Sequence, residues 1–460
     1  MTDAASTAAA RAAPANVAPG ANVAPGTSVA PRASGGARPR GLAALGVDTR
    51  LLGMIAAFAA ICLTFQLLTG GVLEGRFLTP RNVFNLTIQT VSVAIMATGM
   101  VFVIVTRNID LSVGALLATC SAVMAMVQTA WLPGLLGLPL GHPAIMPLAI
   151  ASGLAAGALI GAFQGWLVGY LLIPSFIVTL GGLLVWRNVA WYLTDGQTIG
   201  PLDETFLTLG GIGGTLGGGW SWAVGLAAVA AAWWGIASAR AARARHGFPV
   251  KPLWAEGALA ALAAIGILGF IAILNAYEVP SRVLARDYAA RGLDVPEGLT
   301  AAYGLPLSVL VLIAVAVGMT VIARRTRLGR YIFATGGNPD AAALSGIDTR
   351  LLTVKVFALM GGLVAISAVV ASARLTNHSN DIGTLDELRV IAAAVIGGTA
   401  LAGGMGTIYG AILGALIMQS LQSGMAMVGV DAPLQNIVVG TVLVLAVLID
   451  VAVRRRRGLR

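Results

Sequence analysis

The sequence predicts an all-α polytopic membrane protein with about 10–12 transmembrane segments, some of them broken or re-entrant. Three observations lead there. The 460 residues are 57% hydrophobic and 10% charged, with a mean hydropathy of +0.87, whereas a soluble domain carries roughly 25% charged residues. The apolar residues fall in blocks of about 18–25, the length that crosses a bilayer as a helix. The basic residues gather at the ends of those blocks: Arg38, Arg40 and Arg50; Arg240, Arg243, Arg245 and Lys251; Arg324, Arg325, Arg327 and Arg330; Arg454 to Arg457. A net charge of +10 and a pI near 10.4 would fit a nucleic-acid binder, but this distribution is the positive-inside pattern, so no nucleic-acid partner is expected.

Residues 1–41 are rich in Ala, Pro and Gly and carry a six-residue near-repeat, Ala-Asn-Val-Ala-Pro-Gly at 15–20 and 21–26. Such a stretch cannot bury a core and is expected to be a disordered cytoplasmic tail. No early apolar segment with a cleavage site follows a basic start, so it does not read as a signal peptide. Residues 42–460 are expected to form one transmembrane domain. Within it lie twelve hydrophobic segments, near 51–69, 83–106, 111–131, 145–170, 175–194, 220–237, 254–276, 303–323, 353–373, 388–402, 407–425 and 436–453. With the N-terminus cytoplasmic, an even count returns the C-terminus to the cytoplasm and puts the basic loops inside. Segments 111–131 and 388–425 hold the Gly and polar interruptions of broken helices. Gly153, Gly157, Gly161 and Gly165 repeat every four positions, as do Gly406, Gly410 and Gly414. Stripes of this kind let helix backbones approach closely, here within one subunit. Cys62 and Cys120 both sit inside apolar runs, which argues against a disulfide framework.

Between the segments at 303–323 and 353–373 lies an amphiphilic stretch, 326–350. Its middle reads as a short helix with both ends written in. Asn338 supplies the N-cap, Pro339 fits the first helical position, and Asp340 suits the positive end of the dipole. Ala341, Ala342, Ala343 and Leu344 continue it, and Gly346 is placed to end it in the left-handed conformation. About two turns are not stable alone in water, so this helix must dock on something.

Few residues could carry chemistry. Neither Lys251, followed by Pro252, nor Lys355, followed by Val356, completes a phosphate-binding Gly-x-x-x-x-Gly-Lys-Ser/Thr loop. His142, His246 and His378 lack metal spacing, and no Ser or Cys sits in a nucleophile motif, so neither a catalytic nor a metal site is expected. Ion-coupled carriers usually hold ionisable groups inside the membrane. Asp110, in Asn-Ile-Asp-Leu-Ser-Val-Gly (108–114), reads two ways. It caps the next helix and pairs with Arg107, or it lines a polar gap with Ser112 for a hydroxylated solute. Ser175 and Thr179 follow the break at Pro174 and are either a helix start or pathway groups. Thr399 lies in the turn Gly397 to Gly406, tolerated at membrane depth where it is buried or faces a watery cavity.

Five motifs then occur in order: Arg-Asn-Val-Phe-Asn-Leu (81–86); Gly-Met-Val-Phe-Val-Ile (99–104) running into Ile-Asp-Leu-Ser-Val-Gly (109–114); Pro-Ser-Phe-Ile-Val-Thr-Leu-Gly (174–181); Gly-Arg-Tyr-Ile-Phe-Ala-Thr-Gly-Gly-Asn-Pro-Asp-Ala-Ala (329–342) with Leu-Ser-Gly-Ile (344–347); and Val-Ile-Gly-Gly-Thr-Ala-Leu-Ala-Gly-Gly-Met-Gly-Thr (395–407). Together they resemble the permease subunits of bacterial monosaccharide ABC importers over about 51–453. The long middle, 200–302, is most similar to the D-xylose branch of that family. The resemblance implies an inner-membrane homodimer that moves a monosaccharide, D-xylose first, from periplasm to cytoplasm by alternating access. It implies two separate ATPase subunits, which use the ATP and Mg, and a periplasmic sugar-binding protein, with no cofactor on this chain. It also implies that 329–347, with Gly329, Gly336, Gly337, Asn338, Ala341, Ala342 and Gly346, is the segment that couples to the ATPase. Two other readings stand beside it. An ion-coupled secondary carrier would need no partner and would rest on Asp110; a branched-chain amino-acid permease would want a charge-complementary gap.

Overall fold

A helix that is apolar on every side belongs inside a protein rather than at its surface, and one helix here is of that kind. In the computed structural model, which describes residues 49–290, 292, 296 and 300–456, every residue from Thr90 to Val105 is buried. The tail expected over 1–41 lies outside the described residues. The longer helices are, in order, α1 (Thr49–Leu68), α2 (Pro80–Val105), α3 (Val113–Leu136, with a π turn at Val127–Trp131), α4 (Ile145–Gly169), α5 (Ser175–Leu193), α6 (Gly217–Arg245), α7 (Leu253–Asn275), α8 (Ser281–Ala290), α9 (Leu307–Arg325), α10 (Arg327–Gly337), α11 (Pro339–Leu344), α12 (Thr349–Leu375), α13 (Asp386–Ile396), α14 (Ile408–Met427) and α15 (Ala432–Arg456). Among the described residues ten helices are long and apolar enough to cross a membrane. Each of the twelve expected segments coincides with a helix; that at 388–402 is the short α13 followed by a turn.

The buried α2 is the axis of the molecule, with α12, α13, α14 and α9 packed around it. Helices α6 and α7, from the long middle of the sequence, pair with each other and are mostly exposed, with Trp220, Trp233, Trp234 and Trp254 facing outward. Trp233 donates its indole N–H to the Ala260 carbonyl at 3.0 Å, and Arg240 pairs with Glu256 at 2.8 Å where the two helices join.

The glycine stripes form seams within the chain. A Cβ on Gly157 would stand 2.3 Å from the Gly361 carbonyl oxygen, and one on Gly161 2.2 Å from that of Phe357, so α4 lies directly against α12. The second stripe seats α14 on α13: a Cβ on Gly414 would stand 2.0 Å from the Ala393 carbonyl oxygen.

Contacts sort the helix ends into two groups. Arg50, at the start of α1, donates to the Gly398 carbonyl at 2.9 Å; the turn that holds Gly398 meets the ends of α2 and α10, beside Arg324, Arg325 and Arg327. This is the basic end. At the far end Phe65 of α1 lies against Gly424 of α14, and the backbones of Ile199 and His378 exchange hydrogen bonds of 3.0 and 2.9 Å. There the His378 ring packs under the loops, its Nδ1 2.9 Å from Ser121 Oγ, which lies 2.8 Å from Ser372 Oγ.

Candidate functional site

The expected short helix forms as its sequence spells it. The Asn338 side chain accepts the Ala341 N–H at 3.0 Å, Pro339 occupies the first position, and Gly346 takes φ +84° just past the end. Two neighbours are capped in the same way. Thr326 accepts the Gly329 N–H at 3.2 Å to start α10, and Asp348 accepts the Leu351 N–H at 2.9 Å to start α12. Helix α10 was not foreseen in the sequence, although Leu328, Ile332 and Phe333 recur at helical spacing along it. It buries Gly329, Ile332, Thr335 and Gly336 and leaves Arg330, Tyr331 and Gly337 outside. Of α11 only Ala342 is buried; Ala341 is exposed, and Leu344 is 90% exposed. The pair thus presents a face with nothing of this chain against it.

The inner side of α10 meets two other breaks in the chain. Arg107, in the left-handed region at φ +65°, donates from Nε to the Gly336 carbonyl at 3.0 Å and from Nη2 to that of Gly337 at 2.9 Å. Arginine's planar fork suits two adjacent acceptors, and a cation at a helix C-terminus favours the dipole. From the other side the Gly404 N–H donates to the Val105 carbonyl at 3.0 Å. Gly336 is held between them: a Cβ there would stand 2.0 Å from Val105 O and 2.8 Å from Gly404 N. The end of α2, the end of α10 and the turn after α13 therefore form one junction. Arg107 is committed to it, and does not pair with Asp110 as the sequence suggested.

Asp110 lies in the α2–α3 connection, 2% exposed. Its Oδ1 accepts the Ser112 N–H at 2.9 Å and the Ser112 hydroxyl at 2.6 Å, which in turn accepts from Gln164 Nε2 at 3.0 Å. Burial pushes the Asp110 carboxyl above the usual carboxylate range, against the two hydrogen bonds from Ser112. Ser175 Oγ accepts the Ile109 N–H at 3.2 Å, and Thr179 Oγ1 donates to the Ser175 carbonyl at 2.9 Å. So Asp110, Ser112, Ser175 and Thr179 meet in one cluster, with Gln164 added. Thr399 stands apart, buried in the turn with its methyl group against Gly406 and its hydroxyl buried without a hydrogen-bond partner among the described residues.

A polar cavity of about 370 Å³ lies between α2, α12, α13 and α14, and none of those sequence-selected residues lines it. Arg374 ends one wall, Asp386 and Arg389 pair across 3.0 Å on another, and Gln89 and Gln419 bridge α2 to α14 through a 2.9 Å amide hydrogen bond. Arg187 of α5 secures the loop beside it, donating to the carbonyls of Asn380 and Ile382 at 2.8 and 2.6 Å. The signal for this cavity was in the sequence. Gln89 with Ser92, and Gln419 with Gln422, put polar groups three residues apart on one face of otherwise apolar helices.

The model of the branched-chain amino-acid transport system permease component matches residues 82–240 and 205–447. The chain belongs to this permease family. Among curated proteins the permease is 36% identical to the xylose transport system permease protein of Haemophilus influenzae over 89% of its own length and 98% of the relative's. It is 38% identical to the xylose permease protein of Escherichia coli K12, over 88% and 92%. It is 31% identical to the ribose import permease protein of the same strain, over 82% and 88%. No solved structure matches it. The permease is therefore a transport subunit, and in systems of this kind ATP is hydrolysed by a separate subunit.

Proposed function

We propose that this chain is the membrane subunit of an ATP-driven sugar importer, and that D-xylose is its substrate. The carrying observation is the near full-length likeness to two xylose permeases, where the likeness to a ribose permease is lower. The structure adds support at both ends. The far end holds an uncharged-solute-sized polar cavity between helices. The basic end holds two short capped helices whose outer face needs a partner.

In this reading the positive-inside pattern puts the basic end, and both termini, in the cytoplasm of a cell with an inner membrane. ATPase subunits dock on 326–350, on the outer face of α10 and α11 where Gly337, Asn338, Ala341 and Gly346 are exposed, while the buried Gly329, Gly336 and Ala342 seat that segment on the bundle rather than touch the partner. ATP with Mg acts there, on the partner, and this chain needs no cofactor. A periplasmic binding protein delivers the sugar at the far end, and two copies of the permease form the pore unit. Each ATPase state must favour one permease conformation, since a partner shifts an equilibrium only by its differential affinity for the two states. The junction of Arg107, Gly336 and Gly404 is the mechanical link from the docked helices to the bundle.

The test is uptake of labelled xylose by cells that express the permease with and without its ATPase and binding protein. Gly337→Trp serves as the probe: Gly337 is exposed and nothing lies within 4 Å of its added Cβ, so the change blocks docking and spares the fold. The expected result is uptake only with all components, lost in the variant although it reaches the membrane. Uptake by the permease alone, collapsing with the proton gradient, would overturn the reading and return attention to Asp110.

A further inference from the structure

We infer that the polar cavity is itself a sugar-binding site, a transit station in which one uncharged monosaccharide is held by hydrogen bonds before the bundle opens beneath it. This rests on the import reading and adds the place and the chemistry. The cavity's size, about 370 Å³, lies at the low end of small-molecule sites, which run from about 300 to 1,000 Å³. Its charges balance: Arg374 and Arg389 face Asp381 and Asp386, and one of these pairs is closed at 3.0 Å. No excess charge calls for an ion. Three carboxamides, Gln89, Gln419 and Gln422, supply neutral donors and acceptors, which is what a ring of hydroxyl groups requires. Among the described residues the guanidinium of Arg374 and the amide of Gln422 face the cavity with no hydrogen-bond partner. A branched apolar side chain would gain nothing from such walls and would leave them unsatisfied on burial.

The floor of the cavity shows how a sugar would pass. Gln89 meets Gln419 at 2.9 Å, and Ser92 meets Ser367 at 2.6 Å, tying α2 to α14 and to α12. Below them α2 is buried without a break to Val105, so the cavity ends there. A sugar hydroxyl can replace either partner in these bonds. The exchange of one hydrogen bond for another is nearly neutral, so an occupied cavity loosens ties that an empty one keeps closed. The solute thus favours its own passage.

The experiment uses the complete importer, with its ATPase and binding protein, in proteoliposomes. Gln422→Leu and the double change Gln89→Leu with Gln419→Leu are compared with the unaltered chain for xylose uptake and for ATP hydrolysis stimulated by loaded binding protein. The expected result is a fall in uptake of about tenfold in Gln422→Leu, the worth of one or two lost hydrogen bonds, with hydrolysis still stimulated by loaded binding protein as proof of an assembled complex. In the double change, which also removes the tie, uptake falls and hydrolysis no longer waits for loaded binding protein. Uptake at the unaltered rate in both variants overturns the inference and leaves the import reading standing. No sugar uptake by the unaltered importer, with leucine carried instead, overturns the import reading and the site with it. A second measurement does not depend on the variants' folding. Ser423→Cys, on the polar trough that continues past Gln422, is labelled with a maleimide while Cys62 and Cys120 stay buried. Xylose should slow that labelling and leucine should not. Equal labelling with and without xylose counts against the site.

Discussion

Two neighbouring glycines show how differently one methyl group is received. At Gly336 a Cβ would press on the Val105 carbonyl and the Gly404 N–H; at Gly337 it would meet nothing within 4 Å. Gly336→Ala is therefore expected to cost about 1–3 kcal/mol through overpacking, seen as a lower unfolding midpoint in detergent and reduced uptake. Gly337→Ala should leave both unchanged. Equal effects at the two positions would remove Gly336 from the junction. Residue chemistry also sets a pH response. Burial holds the His378 pKa down from 6.5 to about 4, opposed by the Asn380 side chain, which can accept from the ring and favours its charged form, and helped by the charge of Arg187. The folded state then binds fewer protons than the unfolded state between those values. Stability is full above about pH 6.5 and falls as the pH drops, by up to about 3 kcal/mol once pH 4 is passed. The unfolding midpoint should decline from about pH 7 to about pH 5, and less so in His378→Asn; a flat profile in the unaltered chain would contradict the neutral buried ring. Neither effect was legible in the sequence, where Gly336 and Gly337 are identical letters and His378 is a loop residue. Both depend on what the fold brings near.

Elements were more readable where their ends are spelled locally. Asn338-Pro339-Asp340 predicted α11 because a cap, a fixed φ and a dipole partner act within one turn, and the structure has the same cap. The break at Pro174 and the start of α5 at Ser175 were read for the same reason. Helix α10 escaped although Thr326 caps it and Leu328, Ile332 and Phe333 recur at helical spacing; what no local pattern announces is its glycine face against α2 and the Gly403–Gly404 turn. The cavity escaped too: the polar pairs on α2 and α14 were there to be read, but that α2 meets α12, α13 and α14, more than two hundred residues later in the chain, is a tertiary fact. The cap yields a prediction at this scale. Asn338→Ala should cost about 1 kcal/mol of local helix stability, and because α11 has little else to hold it, ATPase docking and uptake should fall together. Asn338→Asp or Asn338→Ser should restore both, as either can cap. Failure of these rescues, with uptake still low, would mean that Asn338 acts through contact rather than through capping. Arg107→Lys is the matching test at the junction. A lysine keeps the charge but cannot span two carbonyls as the fork does, so coupling of ATP hydrolysis to uptake should weaken although the charge is retained; full coupling would show that charge alone suffices.

For the whole molecule, the arrangement of its two ends is open to a direct test of orientation. Leu344 at the basic end is 90% exposed and Leu135, late in α3, is 82% exposed. With Cys62 and Cys120 buried, a maleimide that does not cross membranes should label Leu135→Cys in cells whose outer barrier alone is opened. It should label Leu344→Cys only once the inner membrane is breached. The reverse pattern would invert the proposed topology.

The burial of α2 also bears on how such a chain is made. Helix α2 ends at Val105, yet α12, α13 and α14, which enclose it, begin only at Thr349. A ribosome delivers the axis early and its sheath late. In the interval a surface shaped for protein contact, with Thr90, Ser92 and Thr98 among its buried groups, has to wait in lipid or beside a temporary companion. Chains that stop before α12 keep that surface uncovered, before any question of transport arises.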